Sequence, residues 1–177
     1  MLQQHAEGAG TSYLSAPSNK ADGYWEFFIR MDFAPSESNR AEIYLMSDIP
    51  DLNGAVNGYM LKAGENGSGD VFRLFRITNG SEDIEVLSGT TDLSSGGDFR
   101  VKVSRSAAGQ WTLEAAPGYD GLLTEKATGF DDTYTTASHF GFKTTYTSTR
   151  ANRFSFDFKI DIPLVYISQL EVVGEQE

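Results

Sequence analysis

The feature that most constrains the fold of this chain is the strictness with which apolar and polar residues alternate. From Asp98 to Ala116, Phe99, Val101 and Val103 fall on one side and Arg100, Lys102 and Ser104 on the other. After Ser106-Ala107-Ala108-Gly109, Trp111, Leu113 and Ala115 alternate with Thr112 and Glu114. A period of two puts successive side chains on opposite faces of a strand, so each run is a half-buried strand. The glycine between them enters positive φ at no steric cost where the chain must reverse, and the stretch predicts a β-hairpin with one dry face.

Two further runs carry the same pattern. In Tyr24 to Phe33 the set Trp25, Phe27, Ile29, Met31 and Phe33 faces a core, while Tyr24, Glu26, Phe28, Arg30 and Asp32 face away. Phe28 is the exception on the wet side: an aromatic covered by a neighbouring loop is the commoner case, a groove-facing ring the other. In Asn152 to Ile162, Phe154, Phe156, Phe158, Ile160 and Ile162 alternate with Arg153, Ser155, Asp157, Lys159 and Asp161. These strands lie near opposite ends of the chain and are expected side by side. Shorter strands follow the same logic: an edge strand from Thr11 ended by Pro17, then Arg40 to Asp48 with Ala41, Ile43 and Leu45 inward and Glu42, Tyr44 and Met46 outward, and a hairpin at Asn79-Gly80. No segment has a helical period. The fold class is all-β, a two-sheet antiparallel β-sandwich with little or no helix.

Along the chain, residues 1–10 have no periodicity and read as a disordered lead-in. Residues 11–163 make one sandwich. Pro163 breaks the pattern, so 164–177 is either a final strand or a linker and the start of a following immunoglobulin-like module, the latter favoured. The loop Ile49 to Gly58 is longer than a hairpin needs and is the first candidate for binding.

Charge narrows the function classes. With 25 acidic against 14 basic residues and a net charge of −11, the chain repels a phosphate backbone, and nucleic acid is excluded as a partner. No apolar run reaches the roughly 20 residues of a membrane helix, and the first residues lack the basic start and apolar centre of a secretory leader. An exported protein would carry that leader outside this sequence. There is no cysteine, and a sandwich of this length needs no disulfide.

LSAPS followed by GYWEFFIRMDF, IYLMSD, NGYMLKAG, FRLFR, FRVKVSRSAAGQWTLEA and YTTASHFGFKTTYTSTRANRFSFDFKIDI resembles, in that order, the concanavalin A-like lectin/glucanase (laminin G-like) domains at the N-terminus of exported multidomain proteins of Bacteroidetes-type bacteria. The resemblance covers about residues 11 to 162 and implies a jelly roll. It also implies a secreted or cell-surface setting, neighbouring domains, and a polysaccharide or other glycan as partner. Arg105, Gly109 and Trp111 stand where that group carries an arginine, a glycine and a tryptophan. The group often has two adjacent acids where this chain has Asp157 followed by Phe158.

Glycosidases on this fold set their acids on one strand as E-x-D-x-E, and no such triplet occurs; the nearest, Glu82-Asp83-Ile84-Glu85, puts its first two acids on opposite faces. With only His5 and His139 as histidines, neither a Ser-His-Asp site nor a zinc site is indicated. The chain reads as a non-enzyme. A sugar site needs an aromatic face and groups that bond hydroxyls, and the candidates beside long loops are Tyr44, Arg73, Arg76 and Tyr119. Parity puts Arg73 and Arg76 on opposite faces of their strand. Calcium is the one cofactor considered, with Asp131, Asp132 and Asp157 as candidate ligands. Three functions follow: a non-catalytic carbohydrate-binding or adhesion module, a structural spacer or protein-interaction domain, and an unusual glycoside hydrolase dependent on an acid such as Glu42 or Glu85. An outer face on which loops cover Tyr44 would favour the spacer.

Overall fold

A computed structural model describes residues 1–67 and 69–158. In chain order the strands are β1 (Leu2–Gln3), β2 (Gly10–Pro17), β3 (Gly23–Met31), β4 (Arg40–Ser47), β5 (Gly58–Ala63) and β6 (Arg73–Thr78). They continue as β7 (Ser81–Ser88), β8 (Gly97–Arg105), β9 (Gln110–Pro117), β10 (Glu125–Phe130), β11 (His139–Tyr146) and β12 (Phe154–Phe158), with one short 3-10 turn at Ser148–Arg150. The first sheet has the order β1-β12-β3-β8-β9-β10 and the second β2-β11-β4-β5-β6-β7, both antiparallel. The fold is the all-β two-sheet sandwich that the alternation predicts.

The two long strands from opposite ends of the chain do pair, with Phe154 opposite Met31 and Phe156 opposite Ile29. β8 and β9 form the expected hairpin, Val101 opposite Ala115 and Val103 opposite Leu113. Asn79 and Gly80 both have positive φ, 52° and 76°, as a two-residue hairpin turn requires. Between the sheets lies one dry core containing Trp25, Phe27, Ile29, Met31, Ile43, Leu45, Tyr59, Leu61, Leu74, Val101, Val103, Trp111, Phe154 and Phe156. Trp25 and Trp111 stack within it at 6.0 Å, and Tyr59 from the second sheet meets Trp111 at 4.7 Å. A buried tryptophan takes roughly 150–250 Å² out of water, on the order of 4–6 kcal/mol at ~25 cal/mol/Å².

Three local expectations change. Residues 1–10 read as a lead-in, yet Leu2 and Gln3 pair with Phe156 and Ser155, and Ala6 is buried in the core. Met46, placed outward by simple alternation, is in the core: a bulge between Tyr44 and Met46 shifts the parity, and Met46 then lies opposite Tyr59. Tyr44 stays on the outer face but is only 3% exposed. The segment 164–177, like Ile160 and Ile162, lies outside the described residues.

Gly109 closes the β8–β9 hairpin at φ 87°, and a Cβ there would stand 2.6 Å from Asp132 Cβ and 2.9 Å from Asp131 O. Gly109→Ala is therefore expected to cost at least about 1–3 kcal/mol in urea denaturation. Gly8→Ala, where a Cβ meets nothing within 4 Å, leaves the midpoint in place.

Candidate functional site

On the outer face of the second sheet, the Ile49 to Gly58 loop folds down rather than standing free. Leu52 and Val56 pack with Tyr44, Met60 and Ile77 in a separate buried cluster. The loop is pinned by Asn57 N donating to Asp48 Oδ1 at 2.7 Å, Gly80 N to Val56 O at 2.8 Å, and Lys143 Nζ to Leu52 O at 3.2 Å. Burial pushes the Tyr44 phenol up, helped by the Glu42 charge. Tyr44 is thus a core residue of this small cluster and not a ligand platform.

The rest of that face is a lattice of ion pairs. Lys62 Nζ lies 3.1 Å from Glu37 and 2.9 Å from Glu82, and Glu42 pairs with Arg40 and Lys143. Arg73 is opposite Lys62 on this face and pairs with Glu65 and Glu85. Arg76, opposite Tyr59, is on the inner side, so the parity expected of the two arginines holds. Neither arginine presents itself as an open site.

Arg76 instead belongs to a knot at the edge of the core. Its guanidinium donates to Asp83 Oδ2 at 2.7 and 2.9 Å, to Asp131 Oδ2 at 2.8 Å and to Thr133 Oγ1 at 2.8 Å. Asp131 Oδ1 accepts the Tyr59 hydroxyl at 2.5 Å and Thr133 N at 3.0 Å, while Asp131 O accepts Trp111 Nε1 at 3.1 Å. Burial raises the Asp131 carboxyl, but hydrogen bonds from Tyr59 and Thr133 and the Arg76 charge outweigh it and hold it below the ordinary aspartate value. Burial and the bond to Asp131 push the Tyr59 phenol up to about 12.

The three aspartates considered for calcium do not converge. Asp131 is committed to Tyr59 and Arg76, Asp132 is exposed beside the Gly109 turn, and Asp157 lies on the outer face of the first sheet. Among the described residues no group of three or more His, Cys, Asp or Glu could hold a metal ion. These three carboxylates do not come together as one calcium site.

The outer face of the first sheet is different. The loop after β9 is held across it by Gly118 N donating to Asp98 O at 2.7 Å and Arg100 Nη1 to Gly121 O at 3.3 Å. It lays Tyr119 flat on Phe28, centroids 4.0 Å apart and rings within 13° of parallel. Phe28 is therefore the loop-covered aromatic, but its cover is an aromatic that remains 44% exposed. Since Phe28 occupies one face of the Tyr119 ring, that exposure belongs to the other face and the edges. The Tyr119 hydroxyl donates to Asp157 Oδ2 at 2.9 Å, which raises the phenol and lowers the carboxyl. Arg100 braces the platform by donating to Glu26 Oε1 at 2.6 and 2.8 Å.

Beside this platform runs a groove of about 270 Å³ lined by Met1, Gln3, Arg30, Asp32, Asn152, Arg153 and Ser155. Register places it there: Asp157 is opposite Phe28 and Ser155 opposite Arg30. Arg30 donates to Asp98 through Nε at 2.5 Å and Nη2 at 2.8 Å, and Arg153 Nη1 to Asp32 at 2.7 Å. Of the ligand candidates chosen from sequence only Tyr119 lies at this surface. Asp157 joins it as a hydrogen-bond acceptor for Tyr119. Arg30, Asn152 and Arg153 were missed because long-range pairing alone brings them together.

No family model matches the chain, and no curated protein matches it in sequence. Solved structures do match in shape. The carbohydrate binding module CBM66 from Bacillus subtilis aligns at TM-score 0.57 and 14% identity, over 88% of this chain and 82% of that one. A legume lectin-like domain from Entamoeba histolytica aligns at 0.58 and 10%, over 89% and 80%. The exoplasmic/lumenal domain of VIP36 in its Ca2+- and mannose-bound form aligns at 0.61 and 11%, over 99% and 85%. The shared fold is the lectin-like, concanavalin A-like β-sandwich.

The Asp131 knot generates an acid-stability prediction. A carboxyl whose folded value lies below its unfolded value of about 3.9 stabilises fully above that pH and loses its contribution as pH falls through the folded value. Asp131→Asn is therefore expected to lower stability at pH 7 by about 1–3 kcal/mol. The gap to the wild type should narrow towards pH 2 in thermal melts across the pH series.

Proposed function

We propose that this chain is a non-catalytic carbohydrate-binding module of a secreted or cell-surface bacterial protein, and that it binds glycan on the outer face of the first sheet. The observation that carries this reading is Tyr119, backed by Phe28 on one face, 44% exposed, and adjoining a polar groove. A rigid aromatic presents a flat apolar surface to the C–H face of a sugar at low entropic cost. The neighbouring guanidinium, amide and carboxylate groups answer its hydroxyls. The lectin and carbohydrate-module neighbours support the reading at the level of fold.

A catalytic role has weaker support. Glu42 is held by Arg40 and Lys143, and Glu85 by Arg73, so neither acid suggested for hydrolysis stands free. Among the described residues no helix is long and apolar enough to cross a membrane. The covering of Tyr44 favours the second reading, a structural spacer, for the second sheet's outer face.

A glycan array followed by calorimetric titration with plant and algal polysaccharides separates the two. Binding is expected, with no release of reducing ends. Tyr119→Ala should weaken binding by about tenfold or more and lower the melting temperature by only a few degrees, while Tyr44→Phe leaves affinity as it was. No binding at millimolar ligand would leave the spacer as the function.

A further inference from the structure

We infer that the groove beside Tyr119 is a second subsite continuous with it, and that the ligand is an uncharged linear glycan held along its chain across successive rings. This rests on the carbohydrate reading above and narrows it.

Length is the first ground. Phe28 and Arg30 share one face of β3 at about 3.3 Å per residue, and Asp32 follows in the bend just past the end of the strand, its N donating to Arg153 O at 3.3 Å. The platform and the far end of the groove are thus about 13 Å apart, more than one pyranose ring and within a trisaccharide. Ser155 and Asp157 face Arg30 and Phe28 across an unbroken ladder, so no gap interrupts the floor.

Charge is the second. A pair of exposed arginines ordinarily signals a carboxylate or sulfate. Here each is already compensated, Arg30 by Asp98 and Arg153 by Asp32, at 2.5–2.8 Å. An acidic glycan would have to displace an aspartate on a protein of net charge −11. The Met1 ammonium is answered by Asp157 Oδ2 at 3.6 Å, so the groove is neutral in sum and its remaining groups suit hydroxyls. Arg30 spends two of its five N–H donors on Asp98. Asn152 Oδ1 accepts Ala6 N at 2.8 Å, which leaves its amide hydrogens to donate.

The test titrates laminari-, cello-, xylo- and manno-oligosaccharides from mono- to hexasaccharide, with oligogalacturonides as the acidic arm. In a series that binds, affinity should rise about tenfold or more from the mono- to the trisaccharide and then level off. The uronides should bind at least about tenfold more weakly than the neutral oligomers. The charge-neutral variant Asp32→Ala/Arg153→Ala removes a surface pair that is 67% and 50% exposed. It should abolish the gain with length and spare disaccharide binding, whereas Tyr119→Ala weakens every length. Arg153→Gln gives the same comparison should the double variant fold poorly. Affinity independent of length, full trisaccharide affinity in the groove variant, or a preference for uronides overturns the subsite while leaving a glycan-binding module. Absence of binding across every series overturns both.

Discussion

The contact on which the sandwich turns is the meeting of Trp111, Tyr59 and Asp131. Trp111 comes from the β8–β9 hairpin of the first sheet and Tyr59 from β5 of the second, and the Asp131 residue takes a hydrogen bond from each. Arg105 closes the group: it is 4% exposed, lies over both rings, and donates to Ala21 O at 2.9 Å and Tyr134 O at 3.1 Å. Hydrophobic burial holds the sheets together without direction. This knot supplies the direction, because its hydrogen bonds from Tyr59, Trp111 and Arg105 form together only when the two sheets stand in one alignment. The glycine of the hairpin belongs to the same device, since Asp131 N donates to Gly109 O at 3.0 Å and any Cβ there would strike Asp132.

With the sheets fixed from inside, their outer faces are free to differ. The second sheet has closed its face, half with the loop over Tyr44 and half with ion pairs around Lys62 and Glu42. The first sheet has kept a tyrosine and a groove. Surface ion pairs contribute little to stability, so Arg30–Asp98 and Arg153–Asp32 matter for what they make of the surface. They hold hydrogen-bonding groups in place and leave no net charge for an ion to answer.

The strands and their dry faces were legible because period two is a local signal, and Trp25, Phe27, Ile29, Met31, Phe154 and Phe156 are all where it put them. Two things were not. The loop over Tyr44 has no period; its only sign was that Leu52 and Val56 are apolar residues in a polar stretch, a pair with nowhere to go unless the loop folds back on a sheet. The groove was hidden for another reason. Arg30 and Ser155 are neighbours only through the pairing of β3 with β12, and no local pattern carries the register of strands so far apart in sequence. The Met46 parity error has the same root, since a bulge depends on the partner strand.

That distinction explains why Tyr119 was found and its setting was not. An aromatic in a glycine-rich loop is visible in the sequence, but its chemistry is decided by what lies beneath and beside it. Phe28 converts a mobile ring into a fixed plane, Asp157 orients its hydroxyl, and Arg100, by holding Gly121, sets the height of the loop. Each partner sits on a different strand of the first sheet, and no local pattern joined Phe28, Asp157 or Arg100 to Tyr119. A platform assembled in this way depends on the register of β12, β3 and β8 together. The platform is therefore tied to the same pairing that builds the core, and a shift of one residue in that pairing would remove the platform and the dry face at once.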